Sequence, residues 1–502
     1  MNRHSLRINR GIWPSLVIGV TGALTGCAAS TESISTSREN LIMASGTTPW
    51  RNGAVPVCWT TASTNRSDFA NRSRSVRALL ESSWPSVANV RFTGWDTCPN
   101  AGLDPGVNIT LDDTTAAGVG HDFGQRRISL GLGTARSDFG AGLIPHEFGH
   151  VLGFRHEMAR QDFPDNPNTG CHEENVAGDY LNTPSDINSI MASTGYCQNN
   201  STLSPWDAVG AITVYGKQVI GLSPLLTAYS MVSGDNATIS TAAGIESVRG
   251  ANYSFEHAEG WVFDVQIEGT VPLKLYWNPA TGDNFTTATA AGVASAVASG
   301  YSFVRIEGYV YPSQQPGTVP LNLYFHSHGD NMSTASTSGQ NAAIGAGYAF
   351  VRTEGWVFPT VPYKTLLGYW DSATGDNVLT ARDSTVAQTA RASYDYIGMD
   401  GVVFKDQLPG TVALKTYLNP TTHDYFGTAT AEGEASARGA GYTQQQVEGY
   451  VFEHAQNGMS PIVTYWSQSA IDNFLTVNRT NVPFHSDYTF VRIEGYTFPT
   501  RL

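Results

Sequence analysis

From about Gly221 to its end the chain repeats itself, and that repetition limits its architecture more than any other feature. Gly-Asp-Asn or a close relative recurs at Asp235, Asp283, Asp330, Asp376, Asp424 and Asp472, at intervals of 46 to 48 residues. An acidic residue and Gly before an apolar run recur at Glu259, Glu307, Glu354, Asp400, Glu448 and Glu494. Each unit reads as strand, Gly-Asp turn, strand, Ala-rich helical turn, Gly-Tyr and two more short strands. Repetition at this period means that each unit buries its apolar face against its neighbours. Six units fit one six-bladed β-propeller or two three-fold β-trefoils, and the pattern leaves both open.

Ahead of the repeats lies His146-Glu147-Phe148-Gly149-His150-Val151-Leu152-Gly153-Phe154-Arg155-His156-Glu157. Residues four apart share a helix face, so His146 and His150 can aim their imidazoles at one metal ion. Glu147 lies beside them, where a carboxylate can take the proton of an attacking water. Gly153 can adopt the positive φ that ends a helix and turns the chain, bringing His156 back as third ligand. Three protein ligands with one position open is the arrangement of a catalytic Zn²⁺, since structural zinc sites are normally closed. Bare H-E-x-x-H arises by chance in roughly one or two chains per hundred of this length. The added Gly and His lower that several hundredfold, so a zinc site is expected rather than three unrelated core histidines.

These residues resemble the motif of the metzincin zinc endopeptidases, and among them the astacins, whose motif also continues with Glu and Arg. Glu157, Arg160 and Asp162 stand at the matching places, and Ser189-Ile190-Met191 fits the Met-turn of that clan. The resemblance covers about Thr47 to Gly216 and implies an α+β metzincin catalytic domain that hydrolyses peptide bonds. It implies Glu147 as general base, His146, His150 and His156 as zinc ligands, and Met191 beneath the metal. In astacins the Glu matching Glu157 is tied to a buried amino terminus; here that needs a cut near residues 44–50, or another partner such as an Arg. Astacins also place a Tyr two residues after the Met, where this chain has Ser193, with Tyr196 the nearest replacement in sequence. The carboxy-terminal units resemble an uncharacterised repeat, of the domain-of-unknown-function type, appended to secreted hydrolases.

The amino terminus reads as an export signal. Arg3, Arg7 and Arg10 precede a short apolar core, Ile12 to Leu24, too short to span a bilayer. Leu24-Thr25-Gly26-Cys27 resembles a bacterial lipobox, which makes Cys27 a lipidated residue; the other reading is a plain signal cut near Ala28 or Ala29. With 41% hydrophobic and only 14% charged residues, 51 Gly and 22 Tyr, the composition suits a secreted, β-rich protein. A formal charge of −14 and the lack of a basic run argue against nucleic acid as a partner. Five cysteines are odd, but lipidation of Cys27 leaves four for an oxidising compartment. Four allow three pairings; Cys58–Cys98 with Cys171–Cys197 is expected because each closes a local loop.

In order, the chain divides into a leader (1–26), a Ser/Thr-rich tether (27–45), the enzyme domain (46–217) and the repeats (218–502). Order is expected from Pro49. A helix is expected over Asp68 to Ser83, with strands at 90–95, 107–111 and 125–132, the last an edge for a substrate peptide. Pro145 is tolerable only in the first turn of the zinc helix. A last helix should start at Ser204 as N-cap with Pro205 at N1 and run to Tyr215.

The expected function is zinc-dependent endopeptidase action on extracellular protein or peptide substrates, at a cell envelope or in secreted form. A lipid anchor would be the protein's sole attachment to membrane. The repeats are expected to bind a surface, glycan or protein. Acidic turns can hold Ca²⁺, and Trp261, Tyr309, Trp356, Tyr450 and Tyr496 can stack on sugars if exposed. The alternative is that Asp-Asn only forms turns and these aromatics fill the core. A second function class is an adhesin with an inactive metallo-domain, against which the intact Glu147 speaks.

Overall fold

The computed structural model describes residues 42–44, 49–81, 83–99, 106–112, 127–131, 140–160, 163, 178–180, 185–192, 200–371, 373–381, 384–477 and 487–500. All of these lie within one compact unit, Arg38–Leu502. Its amino-terminal part carries strands β1 (Ile42–Ala44), β2 (Ala54–Trp59), β3 (Arg91–Thr97), β4 (Val107–Asp112), β5 (Arg127–Gly131) and β6 (Gly178–Tyr180). The α-helices there are α1 (Thr61–Thr64), α2 (Phe69–Glu81), α3 (Gly140–Val151) and α4 (Pro205–Tyr215).

Alternation places Val55, Val57 and Trp59 on the buried face of β2, which forms the middle of a parallel sheet ordered β3-β2-β4-β5. The sheet packs on the helices through Trp59 against Phe69 of α2 and Phe92 against Phe148 of α3. On α2, Val76 and Leu80 are fully buried and Leu79 packs beside them, as the helical spacing requires. A strand forms where the edge is expected, as β5, which ends the sheet among the described residues. Order begins earlier than Pro49: the end of the expected tether, Ile42–Ala44, pairs with β6, because strand pairing satisfies backbone groups whatever the side chains. Cys58 and Cys98 form the expected disulfide, and Cys27, Cys171 and Cys197 lie outside the described residues.

In the repeats, unit 1 runs Leu222–Ser230, Asp235–Ile239, helix Ala242–Gly250 and strand Ser254–Phe263. The Ala-rich turn is thus a nine-residue helix. The two expected short strands are one ten-residue strand, bent where Gly260 takes a φ of 134° and the pairing register shifts. Thr241, Thr289, Ser336, Ser384 and Thr430 each cap a unit helix, accepting from the third backbone N–H beyond.

The recurring acid joins the units. Glu307 of unit 2 accepts from Ser240 N and Thr241 N of unit 1, and Glu354 of unit 3 from Thr287, Ala288 and Thr289 of unit 2. Glu259 of unit 1 closes the circle on Thr334, Ala335 and Ser336 of unit 3. The second half repeats this: Glu448 reaches unit 4, Glu494 unit 5, and Asp400 of unit 4 accepts from Val477 of unit 6. The circles close after three units, not six. The sheets inside them are open, so strand topology itself shows a β-rich six-unit module and neither a closed propeller nor closed trefoil barrels.

Trp261 is buried, and Tyr309, Trp356, Tyr450 and Tyr496 are half-buried against a core that includes Phe263, Phe404, Phe452 and Phe498. These aromatics pack on the interior, Trp261 wholly and the other four in part. The same core continues into Trp84 and Val219, joining the repeats to the amino-terminal part. Across that junction the Arg77 guanidinium lies 4.5 Å over the Tyr396 ring, and Tyr363 Oη donates to the Ser86 carbonyl at 3.3 Å.

Glu354→Ala is expected to cost about 3–5 kcal/mol, because it strands the capping donors of unit 2 and leaves Arg352, 2.7 Å from Glu354 Oε1, without its partner. Denaturant unfolding of the full chain measures this, and Glu354→Gln should lose clearly less.

Candidate metal centre

Helix α3 carries His146, Glu147 and His150, and three aromatic donors fix it. Trp84 Nε1 donates to the Pro145 carbonyl at 2.7 Å, Trp50 Nε1 to Val151 at 2.8 Å, and Tyr215 Oη to Leu152 at 2.7 Å. The last two satisfy carbonyls that a helix end leaves without partners. The helix opens at Gly140, so Pro145 stands inside it and not in its first turn. Its ring removes the N–H that would bond to residue 141, and burial of the helix against Trp84 offsets that loss.

Gly153 has a φ of 99°. Phe154 N donates to Gly149 O at 3.0 Å and Gly153 N to His150 O at 2.9 Å, the paired bonds of a Schellman ending. The turn returns His156 to the other two histidines. Ring centroids are 4.9 Å apart for His146 and His150, 5.1 Å for His146 and His156, and 4.7 Å for His150 and His156. One potential ligand atom from each lies within 4.8 Å of the other two.

The donor set fits a metal. His146 Nδ1 lies 2.8 Å from the Ile190 carbonyl and His150 Nδ1 lies 2.7 Å from the Phe154 carbonyl. A carbonyl only accepts, so Nδ1 carries the proton and Nε2 carries the lone pair on both rings. Glu147 is 4% exposed, and burial pushes its carboxyl up to about 8. A bound dication would pull it back down.

Met191 is fully buried directly under α3: a methyl built on Gly149 would come within 2.3 Å of its Sδ. The residue that holds this floor lies outside the histidine motif and the Met-turn. Asp207 on α4 accepts from Ser189 Oγ at 2.6 Å, Ile190 N at 2.7 Å and Ser204 N at 2.9 Å, while Ser204 Oγ caps Asp207 N. It therefore holds the segment whose carbonyl orients His146. The signal was present as a Ser-x-x-Asp capping box at Ser204, already recognised as an N-cap.

Glu157 is buried beside the third His. Its partners are Arg160 Nε at 3.3 Å and Asp186 N at 3.0 Å, and burial pushes its carboxyl up to about 8 against the pull of Arg160. Asp162, Ser193 and Tyr196 lie outside the described residues.

Asp207→Ala is expected to weaken Zn²⁺ binding about 10–100-fold, since it frees the segment that orients a ligand. Competition against a chelator of known affinity checks this, with circular dichroism confirming an intact fold.

Residues 47–169 match the family model described as Astacin, a peptidase family. A solved structure described as "Structure of myroilysin" is similar over 34% of this chain and 95% of its own, at 21% identity and a TM-score of 0.25. No curated protein matches. Residues 224–358 and 365–498, three units each, both match the model described as Domain of unknown function (DUF5648). Those two matches span more than half of the chain, which therefore belongs to the DUF5648 family and carries an astacin-type segment ahead of it.

Proposed function

We propose that this chain is a zinc-dependent metalloendopeptidase. The observation that carries the reading is the convergence of His146, His150 and His156 ligand atoms within 4.8 Å, with the buried Glu147 beside them. When bound, the metal supplies Lewis acidity, polarising a scissile carbonyl and acidifying a water. Glu147 takes the proton of the attacking water and delivers it to the departing amine. Ile190 O and Phe154 O hold two of the rings in the ligand tautomer. Strand β5, at the sheet edge, offers backbone groups along which an extended protein or peptide substrate can lie.

Glu147→Ala is expected to keep its Zn²⁺ and lose peptidase activity, whereas His150→Ala loses both. Metal content and turnover of a quenched peptide decide it. Wild-type turnover in the Glu147 variant sinks the mechanism. A wild type that takes up Zn²⁺ and cleaves no protein favours a binding protein with an inert metallo-domain.

The reading extends to location and architecture. Export is supported by the Cys58–Cys98 disulfide, which belongs to an oxidising compartment, and by the leader, residues 1–26, just before Cys27. If Cys27 carries lipid, the wild type partitions into detergent and Cys27→Ser stays in water; a wild type found in the aqueous phase removes the anchor. The repeats form two three-fold modules of the trefoil kind, a reading supported by hydrogen-bonded circles that close after three units. Glu354→Ala should then lower one unfolding transition and spare that of units 4–6, where a single six-fold ring would lose both.

A further inference from the structure

At the centre of the first circle three carboxylates meet. Asp235, Asp283 and Asp330 hold the same place in units 1, 2 and 3, and one carboxylate oxygen from each lies within 4.8 Å of the others. Each is gripped by a phenol of its own unit and an Asn of a neighbouring one. Asp235 Oδ2 accepts from Tyr253 Oη and from Asn284 Nδ2 at 2.6 Å. Asp330 Oδ2 accepts from Tyr348 Oη and from Asn236 Nδ2 at 2.7 Å. Asp283 Oδ2 accepts from Tyr301 Oη and from Asn331 Nδ2 at 3.0 Å.

The phenol and the Asn side chain take Oδ2 in every case. Asp235 Oδ1 accepts from Asn284 N at 2.8 Å and Asp330 Oδ1 from Asn236 N at 3.3 Å, which leaves Asp283 Oδ1 as the oxygen without a donor. Asp283 is 4% exposed, and its Oδ1 is buried with no hydrogen-bonding partner. One oxygen of its carboxyl lies within 4.8 Å of an oxygen of both Asp235 and Asp330, so it stands inside the cluster. Among the described residues no Lys or Arg pairs with any of the three. A buried, donorless carboxylate oxygen among like charges is costly unless a cation or a proton joins it. Burial pushes Asp283 up to about 6 and Asp330 up to about 7, with Asp283 adding to the rise at Asp330. A cavity of about 410 Å³ opens on the cluster, walled by the Gly-Asp turns together with Tyr229, His326 and His328. The second circle repeats the convergence with Asp376, Asp424 and Asp472, and Asp472 Oδ1 is again buried with no hydrogen bond. Two occurrences, in circles with different neighbours, make the convergence a property of the repeat.

We propose that Asp235, Asp283 and Asp330 form a site for a hard divalent cation of the Ca²⁺ class on the axis of units 1–3. One oxygen from each Asp ligates it, and waters admitted through the cavity complete the shell. The all-oxygen donor set selects Ca²⁺ or a similar hard ion over zinc, which prefers the nitrogen and sulfur ligands absent from this cluster. Such an ion would join three units through one charge, adding to the acid-to-cap bonds that already close the circle. The site is independent of the metallopeptidase reading and stands or falls without it.

The probe is Tb³⁺, a Ca²⁺ substitute whose emission is excited through nearby tyrosines, here Tyr253, Tyr301 and Tyr348. Titration of the zinc-loaded full chain at neutral pH is expected to give saturable emission that Ca²⁺ displaces. Asp283→Asn keeps the side-chain shape and is expected to lower the bound Tb³⁺ by one equivalent. Asp330→Asn serves the same purpose if the first variant does not fold. No saturable emission in the wild type, or an undiminished stoichiometry in a folded variant, overturns the site and leaves protons holding the three acids together.

Discussion

Glu259 takes hydrogen bonds from Thr227, Thr334, Ala335 and Ser336, and with them a helix start in another unit loses its need for water. The first N–H groups of any helix lack partners inside it, and a buried start must find them elsewhere. In this chain a buried carboxylate supplies them, and the negative charge also suits the positive end of the helix dipole. Because the acid comes from a neighbouring unit, the local need of one helix becomes a link between units. The circles exist through that substitution.

Asp207 does the same work on a smaller scale in the amino-terminal part. It caps its own helix with Ser204 and, through Ser189 and Ile190, holds the segment that turns a carbonyl toward His146. Burial pushes Asp207 up to about 7, and its three donors act against that rise. A buried acid that takes several donors rigidifies its surroundings, whereas one with a free oxygen invites something else to bind. Asp207 belongs to the first kind. Asp283, with its Oδ1 lacking a donor, belongs to the second.

The aromatic residues divide by the same logic of burial. Trp50, Trp84 and Tyr215 use their polar tips on carbonyls of α3 and just beyond its end, so rings that fill the core also set the position of the helix that carries His146 and His150. The repeat aromatics from Trp261 to Tyr496 pack toward a shared centre, which ties the two parts into one hydrophobic core. An aromatic at a regular spacing is compatible with a sugar platform or with a core. Only the direction each strand faces distinguishes them.

The triad of histidines was legible because its geometry is local: a helix repeat of 3.6 residues and one Gly turn bring ligands within eleven residues together. The cap at Ser204, the disulfide of Cys58 and Cys98, and the six-fold repetition were legible for the same reason of local or periodic order. Closure after three units was not, since the partner of Glu259 lies 75 to 77 positions away and nothing in its own unit distinguishes that choice from the next unit along. The meeting of Asp235, Asp283 and Asp330 follows from that closure, so it too was hidden in the sequence. The role of Asp207 needed the fold as well, because the acid joins α4 to a segment 17 residues earlier only once both are buried. Sequence determined which groups each unit and the histidine-bearing helix would offer. Tertiary burial decided which of them meet, since only a group removed from water must find its partner within the protein.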